Sequence, residues 1–202
     1  MSAVWRKAHN DVMSEDWDTH AATFDEEPDH GLRDPAVRAA WAALLLPLIP
    51  DKARVADLGC GTGSLSVLLA EAGHQVDALD QSPAMIEIAT RKAATAGVTV
   101  TFQEGDASTP PYEPHTYDVV LSRHVLWALP DKEAALTRWT NLLTPKGKLI
   151  LVEGHWFTGA GLPAAECAAL VRNHRPQVTI THLTDPALWG HPITDERYLL
   201  VS

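Results

Sequence analysis

The stretch VADLGCGTGSLS, residues 55–66, carries glycines at 59, 61 and 63 behind an acid, Asp57, at the end of an apolar run. Glycine lets a chain turn tightly and lets a ligand come within contact distance of the main chain. Two further acids stand at comparable places. DALDQS (77–82) puts Asp80 about 20 residues beyond Gly59, the spacing at which a carboxylate accepts hydrogen bonds from both hydroxyls of a ribose. EGDA (104–107) offers Asp106, whose carboxylate suits an exocyclic adenine amine. A phosphate-binding loop requires GxxxxGK[ST], and the stretch has no such lysine. The dinucleotide fingerprint GxGxxG fails in both frames, because Ser64 and Ser66 stand where the third glycine belongs. A glycine turn, a ribose acceptor and an adenine acceptor together describe a nucleoside pocket without phosphate recognition.

Those residues act together only if the segments before them are neighbouring strands. The pattern alternates accordingly. Strands are expected at 53–58, 74–80, 98–106, 117–122 and 148–154, with helices at 35–48, 63–72, 82–96 and about 131–143. Asp34–Pro35 and Ser82–Pro83 open two of the helices, and Gly97 closes the second. Five βα units in succession predict a doubly wound parallel sheet, since parallel strands need crossover helices. After a helix near 163–173 the pattern changes. VTITHL (178–183) and RYLLVS (197–202) are strands joined by a polar loop with one short helical turn, DPALWG, which suits an antiparallel closing pair. Residues 1–34 read as irregular, with Trp5, Trp17 and Phe24 needing somewhere to pack.

Bulk composition narrows the function. A chain of 202 residues and 22.0 kDa predicts one domain, 1–202, with an ordinary 46% hydrophobic and 21% charged content. No apolar run reaches the roughly 18–20 residues of a membrane span, and the first residues lack an apolar leader, so a cytoplasmic protein is expected. Cys60 and Cys167 form no CxxC pair, and no HxxxH or HExxH spacing occurs, so neither a disulfide framework nor a metal site is expected. A net charge of −10 without a basic run argues against a nucleic-acid partner and for a small molecule. Oligomeric state, monomer or homodimer, is left open.

In order along the chain, VADLGCGTG, VDALDQS, EGDA, YDVVLSRHVLWALPD and LLTPKGKLILVEG resemble the successive motifs of class I S-adenosylmethionine-dependent methyltransferases. Among these, the similarity is to the small methyltransferases of the ubiquinone/menaquinone-biosynthesis group, and it runs over about residues 15–157. The resemblance implies a Rossmann-like, doubly wound, seven-stranded α/β sheet, mostly parallel, with an antiparallel strand in its C-terminal pair. It divides the chain into a cap segment (1–34), a cofactor-binding core (35–157) and a closing helix and strand pair (158–202). It implies S-adenosylmethionine as cofactor: Asp57, Gly59, Cys60, Gly61 and Gly63 around the methionine portion, Asp80 with Gln81 at the ribose, Met85 against the adenine, and Asp106 with Ala107 at its edge. Backbone near Ser122 and Arg123 meets the amino-acid end. WDTHAATFD (17–25) resembles the family's capping segment, with Phe24 where a tyrosine is common.

The implied reaction is in-line attack on a sulfonium methyl, in which the protein supplies alignment and excludes water. Where the acceptor carries a proton, a histidine suits the role of base. His124 and His155 follow the fourth and fifth strands, and His20 lies in the cap segment, whereas His9, His30, His74 and His115 read as surface loop residues. Trp17, Trp127, Trp156 and Trp189 fall on segments bordering the acceptor, and an aromatic enclosure favours a flat or cationic acceptor. Trp41 and Trp139 sit at helical core spacing. Two other readings compete: an NAD(P)-dependent oxidoreductase, disfavoured by Ser64 and Ser66, and a protein that binds S-adenosylmethionine without transferring its methyl group.

Overall fold

A computed structural model describes residues 17–202. Trp5 and His9 lie outside the described residues. Within them, the strands are β1 (Arg54–Leu58), β2 (Gln75–Asp80), β3 (Thr101–Glu104), β4 (Tyr117–Arg123), β5 (Leu143–His155), β6 (Thr179–His182) and β7 (Glu196–Val201). They form one seven-stranded sheet in the order β3-β2-β1-β4-β5-β7-β6. β1 to β5 pair in parallel, and β7 runs antiparallel to both β5 and β6. Strand order reverses between β1 and β4, and the crevice at a sheet's carboxyl edge opens at such a reversal.

The helices that make the crossovers start and stop where the sequence says they should. α3 (Pro35–Leu45) has Pro35 in its first turn and Asp34 accepting from the Ala36 amide at 2.8 Å. α5 (Pro83–Ala96) is capped by Ser82, whose hydroxyl accepts from the Met85 amide, and ends at Gly97 with φ +69°. α4 (Ser64–Glu71) and α6 (Lys132–Leu142) fill the other crossovers, and α7 (Ala164–Arg172) follows β5. β1 and β4 are buried on both faces, which explains their unbroken apolar runs. One face packs Trp139, Leu149 and Cys167 under α6 and α7, and the other packs Trp41, Leu69 and Ile150 under α3 and α4.

Three expectations need correction. β3 is only four residues long, because it is the sheet's edge, paired on one side to β2. β5 begins at Leu143, not Lys148: the PKG segment stays in the ladder through a register shift between Tyr117 and Val119. Residues 17–34 are not irregular. α1 (Trp17–Phe24) and α2 (Pro28–Gly31) form there. Asp18 of α1 accepts from the Ser82 hydroxyl and, at 3.1 Å, from the Ala84 amide, so α1 is docked by capping the start of α5. That support is tertiary, and no local periodicity announces it.

Trp139 ties the α6 core to the third strand's exit. Its side chain is completely buried, and its indole N–H donates to the Ala107 carbonyl at 2.7 Å. Trp139→Ala is expected to cost about 3–5 kcal/mol, measured by urea unfolding, since it leaves both a large cavity and an unpaired carbonyl.

Candidate functional site

The first strand ends at Leu58, and the three glycines after it all adopt left-handed backbone: Gly59 at φ +75°, Gly61 at +55° and Gly63 at +73°. At Gly59 a β-carbon would also lie 2.3 Å from a Val125 methyl, so this position requires glycine twice over. The turn is pinned to the end of β2. The amides of Gly59 and Cys60 donate to the Leu79 carbonyl at 2.8 and 2.9 Å, and the Gly61 amide donates to Asp80 Oδ2 at 2.7 Å. Ser64 and Ser66, the residues that break the dinucleotide fingerprint, are both buried and both used. Ser66 donates to Asp57, and Ser64 accepts from Lys92 Nζ at 2.7 Å.

The acids converge as expected. Asp57 is buried in β1, and burial pushes its carboxyl up to about 6 despite the Ser66 hydrogen bond and the nearby Arg123 charge. Asp80, at the end of β2, is raised as well, mainly by burial, while the Ser82 and Gly61 amides oppose the shift. Its Oδ1 accepts from the Ser82 amide at 3.0 Å. Asp106 stays exposed at the exit of β3, and its carboxylate holds its own turn through the Ser108 amide and hydroxyl, both at 2.7 Å. Ala107 is buried, Gln81 is exposed, and Met85 is fully buried on the core side of α5. Ser122 donates to the Leu58 carbonyl at 2.9 Å, locking the ends of β4 and β1 together. Cys60, beside these carboxylates, has its thiol pushed well above the ordinary range by burial and by Asp57 and Asp80.

The segment after α1 lies over the turn. The Phe24 ring sits against Gly61, where a β-carbon would be 3.2 Å away, and stacks on His30 with centroids 4.3 Å apart. Asp25, buried, accepts from the Thr62 hydroxyl and pairs with Lys92 at 2.9 Å. Arg123 donates to the Asp29 carbonyl and lies over Trp41. His30 is therefore no surface residue. It is 6% exposed, beside Asp29, and burial holds its imidazole below the usual range.

His124 takes an unusual left-handed φ of +59° just past β4. Its ring packs edge-on to Trp156 at 5.4 Å and near Trp189 at 6.4 Å. Trp127 donates to the His124 carbonyl and meets Trp156 at 5.1 Å. Trp156 and Trp189 are each 1% exposed, and Arg197 lies over both, at 5.5 and 4.8 Å, paired twice to Asp195 at 3.1 Å. A cation thus already fills the space between those two indoles, which removes the argument for a cationic acceptor there. His155 is exposed, and His20 packs against Trp17 at 6.3 Å, away from the other candidates' shared cluster. Among the described residues no group of three or more His, Cys, Asp or Glu is placed to hold a metal ion.

Sequence reading missed Glu153. In LVEGH it reads as the polar end of a strand, yet it is completely buried in β5. Its Oε1 accepts from the amides of Val125 and Leu126 at 3.2 and 2.8 Å. Two adjacent amides turned inward by a left-handed residue are visible only in three dimensions.

Residues 56–151 match the family model described as a methyltransferase domain. Over 164 residues the chain is 28% identical to an uncharacterized protein of Mycobacterium tuberculosis, covering 80% of this chain and 58% of that one. It is 33% identical to the ubiquinone biosynthesis O-methyltransferase of Xanthomonas euvesicatoria, covering 67% of this chain and 54% of the relative. The chain thus spans just over half the length of these relatives. Its fold superimposes on a SAM-dependent methyltransferase of Methanosarcina mazei with a TM-score of 0.64 at 17% identity, over 78% of this chain and 95% of that one.

Burial raises the Glu153 carboxyl to about 8, although the inward amides pull the other way. An acid raised in the folded state binds its proton more tightly there than in the unfolded chain. Its contribution is therefore fully present at low pH and is lost as pH rises through about 8. Between about pH 5.5 and about pH 8.5 the natural protein is expected to lose about 3 kcal/mol more stability than Glu153→Gln, compared by urea unfolding at both pH values.

Proposed function

We propose that this chain, whose residues 56–151 match a methyltransferase domain, binds S-adenosylmethionine and transfers its methyl group to a small-molecule acceptor by in-line displacement. One observation carries the reading: at the reversal of strand order, a glycine turn, a buried acid and a strand-end acid come together at the carboxyl edge of the sheet. Those residues fit the cofactor. The Gly59–Gly63 main chain runs along its methionine portion, Asp57 faces its ammonium group, and Asp80 takes the ribose hydroxyls. Asp106 and Ala107 meet the adenine edge, and Phe24 covers the assembly. When bound, the cofactor supplies a methyl group on a sulfonium, already a good leaving group.

The chain's own residues do the rest. Phe24, Trp127 and Trp156 keep water from the reacting atoms, and a dry site strengthens the pull of Asp57 on the bound cation. His124 is the base where the acceptor carries a proton, because its ring lies inside the aromatic wall, while His155 is exposed. Exclusion of phosphate follows from the turn itself: its first three amides are already donated to β2. The net charge of −10 and the partly buried tryptophan Trp127 favour a flat, small acceptor over a nucleic acid.

Titration calorimetry is expected to show binding of S-adenosylmethionine and S-adenosylhomocysteine but not of NAD; the reverse result overturns the proposal. Asp80→Ala should weaken S-adenosylhomocysteine binding by about 1–3 kcal/mol. Affinity should also fall as pH drops through about 6, where Asp57 takes up a proton and loses its attraction for an ammonium group. Product detection by mass spectrometry across candidate acceptors tests transfer, and His124→Ala is expected to lower turnover with cofactor affinity nearly intact.

A further inference from the structure

The chain needs a reason to keep a carboxyl in the apolar centre of its sheet. Glu153 lies in β5 between β4 and β7, opposite Tyr198, and is completely buried. Placing an acid there is costly unless it is used. Its Oε1 takes two consecutive amides, Val125 and Leu126, while Oε2 is buried with no hydrogen-bond partner among the described residues. Those amides belong to the turn that carries the chain off the end of β4. The His124 amide still donates to the Val152 carbonyl at 2.8 Å, continuing the β4–β5 ladder. His124 then turns left-handed, a conformation unfavourable for a residue with a β-carbon, which the surrounding structure must impose.

What the turn places is the site. Val125 packs on Gly59, the first glycine of the cofactor turn. His124 and Trp127 build the acceptor wall against Trp156, and the Trp127 indole is fixed by the His124 carbonyl at 2.9 Å. We propose that Glu153 is the positioning residue of this site: by holding the Val125 and Leu126 amides from below, it fixes the His124–Trp127 turn, and through it sets Val125 on the glycine turn and the imidazole and indole against the acceptor. The inference rests on the methyl-transfer reading for the meaning of that wall, but not for the geometry of the turn.

Both oxygens of Glu153 are not equivalent, and this makes the role testable. Neutral, the carboxyl still accepts both amides on Oε1 and carries its proton on Oε2; ionised, it holds them as a charge-assisted pair. The charged and titratable groups facing it are Lys132 from the start of α6, Cys167 from α7 and Tyr198 from β7. The titration of Glu153 itself is read directly from its ¹³C carboxyl signal.

Nuclear magnetic resonance of the full chain, free and with S-adenosylhomocysteine as probe, decides the matter. In the natural protein the Val125 and Leu126 amides and the Trp127 indole are expected to titrate together with the Glu153 carboxyl. In Glu153→Gln those signals should lose that shared titration while the turn stays protected, because the amide oxygen replaces Oε1. In Glu153→Leu, hydrogen exchange at Val125 and Leu126 should quicken at least about tenfold while β1 and β2 amides keep their protection. If Glu153→Leu leaves those two amides protected, or the turn signals ignore the Glu153 titration, the proposal is overturned. Should Glu153→Leu not fold, the comparison of the natural protein with Glu153→Gln decides alone. Failure of the natural protein to bind S-adenosylhomocysteine would overturn the cofactor reading instead, since the titration of the free protein does not depend on it.

Discussion

Three backbone amides at the head of the glycine turn are turned down onto the end of β2: Gly59 and Cys60 onto the Leu79 carbonyl, Gly61 onto Asp80. Nearly everything else about the site depends on this attachment. In a phosphate-binding loop the equivalent amides point outward and cradle an anion. Here they are used up inside the protein, and Val125, Phe24, Ala89 and Phe102 close on the bare glycines, so the turn is tightly packed main chain without a concentrated positive field. The left-handed glycines are what allow the chain to face its amides that way, and Ser122 adds a second tie by bonding the Leu58 carbonyl from β4. A rigid, bare, electrically quiet turn suits the flexible methionine chain of a sulfonium nucleoside.

The same attachment explains why this part of the molecule was legible in the sequence. Strand, acid, glycine turn and helix cap are all local devices, with residue types fixed by backbone conformation or by exposure to a ligand. VADLGCGTG and VDALDQS therefore announce β1, its turn, β2 and the cap of α5 within a residue or two. Features that depend on distant partners were not legible. WDTHAATF has no amphipathic stripe, and its helix forms because Asp18 finds the unpaired start of α5. His30 lies in an acidic, polar stretch and is buried only because Phe24 and Arg123 close over it. Glu153 is the clearest case, since nothing in LVEGH reveals two amides arriving from a turn 27 residues earlier.

The acceptor side follows a different logic. Tryptophans on loops suggested an aromatic box, and in the structure they are clustered, but two of them serve the protein. Trp189 packs edge-on against Trp41 and sends its own indole N–H to the Leu183 carbonyl. Arg197 and Asp195 then neutralise each other over Trp156 and Trp189. This closed group makes a firm wall behind His124 and Trp127, whose indole N–H donates to the His124 carbonyl. Rigidity of this kind is what alignment of two reactants requires.

Charge completes the argument about the ligand. Asp57 and Asp80 are both raised, mainly by burial, with the Asp80 charge adding to the shift of Asp57 and the Asp18 charge to that of Asp80. Arg123 helps Asp57 from the β4 side but is itself committed to Asp29 and Trp41. A neutral nucleoside would bury the carboxylates further and worsen the repulsion. A ligand bearing positive charge on its sulfur and its ammonium group relieves it, drawing both acids back toward their ordinary ionised state. On the methyl-transfer reading proposed above, two acids raised by burial suit a positively charged methyl donor better than a product whose sulfur is neutral.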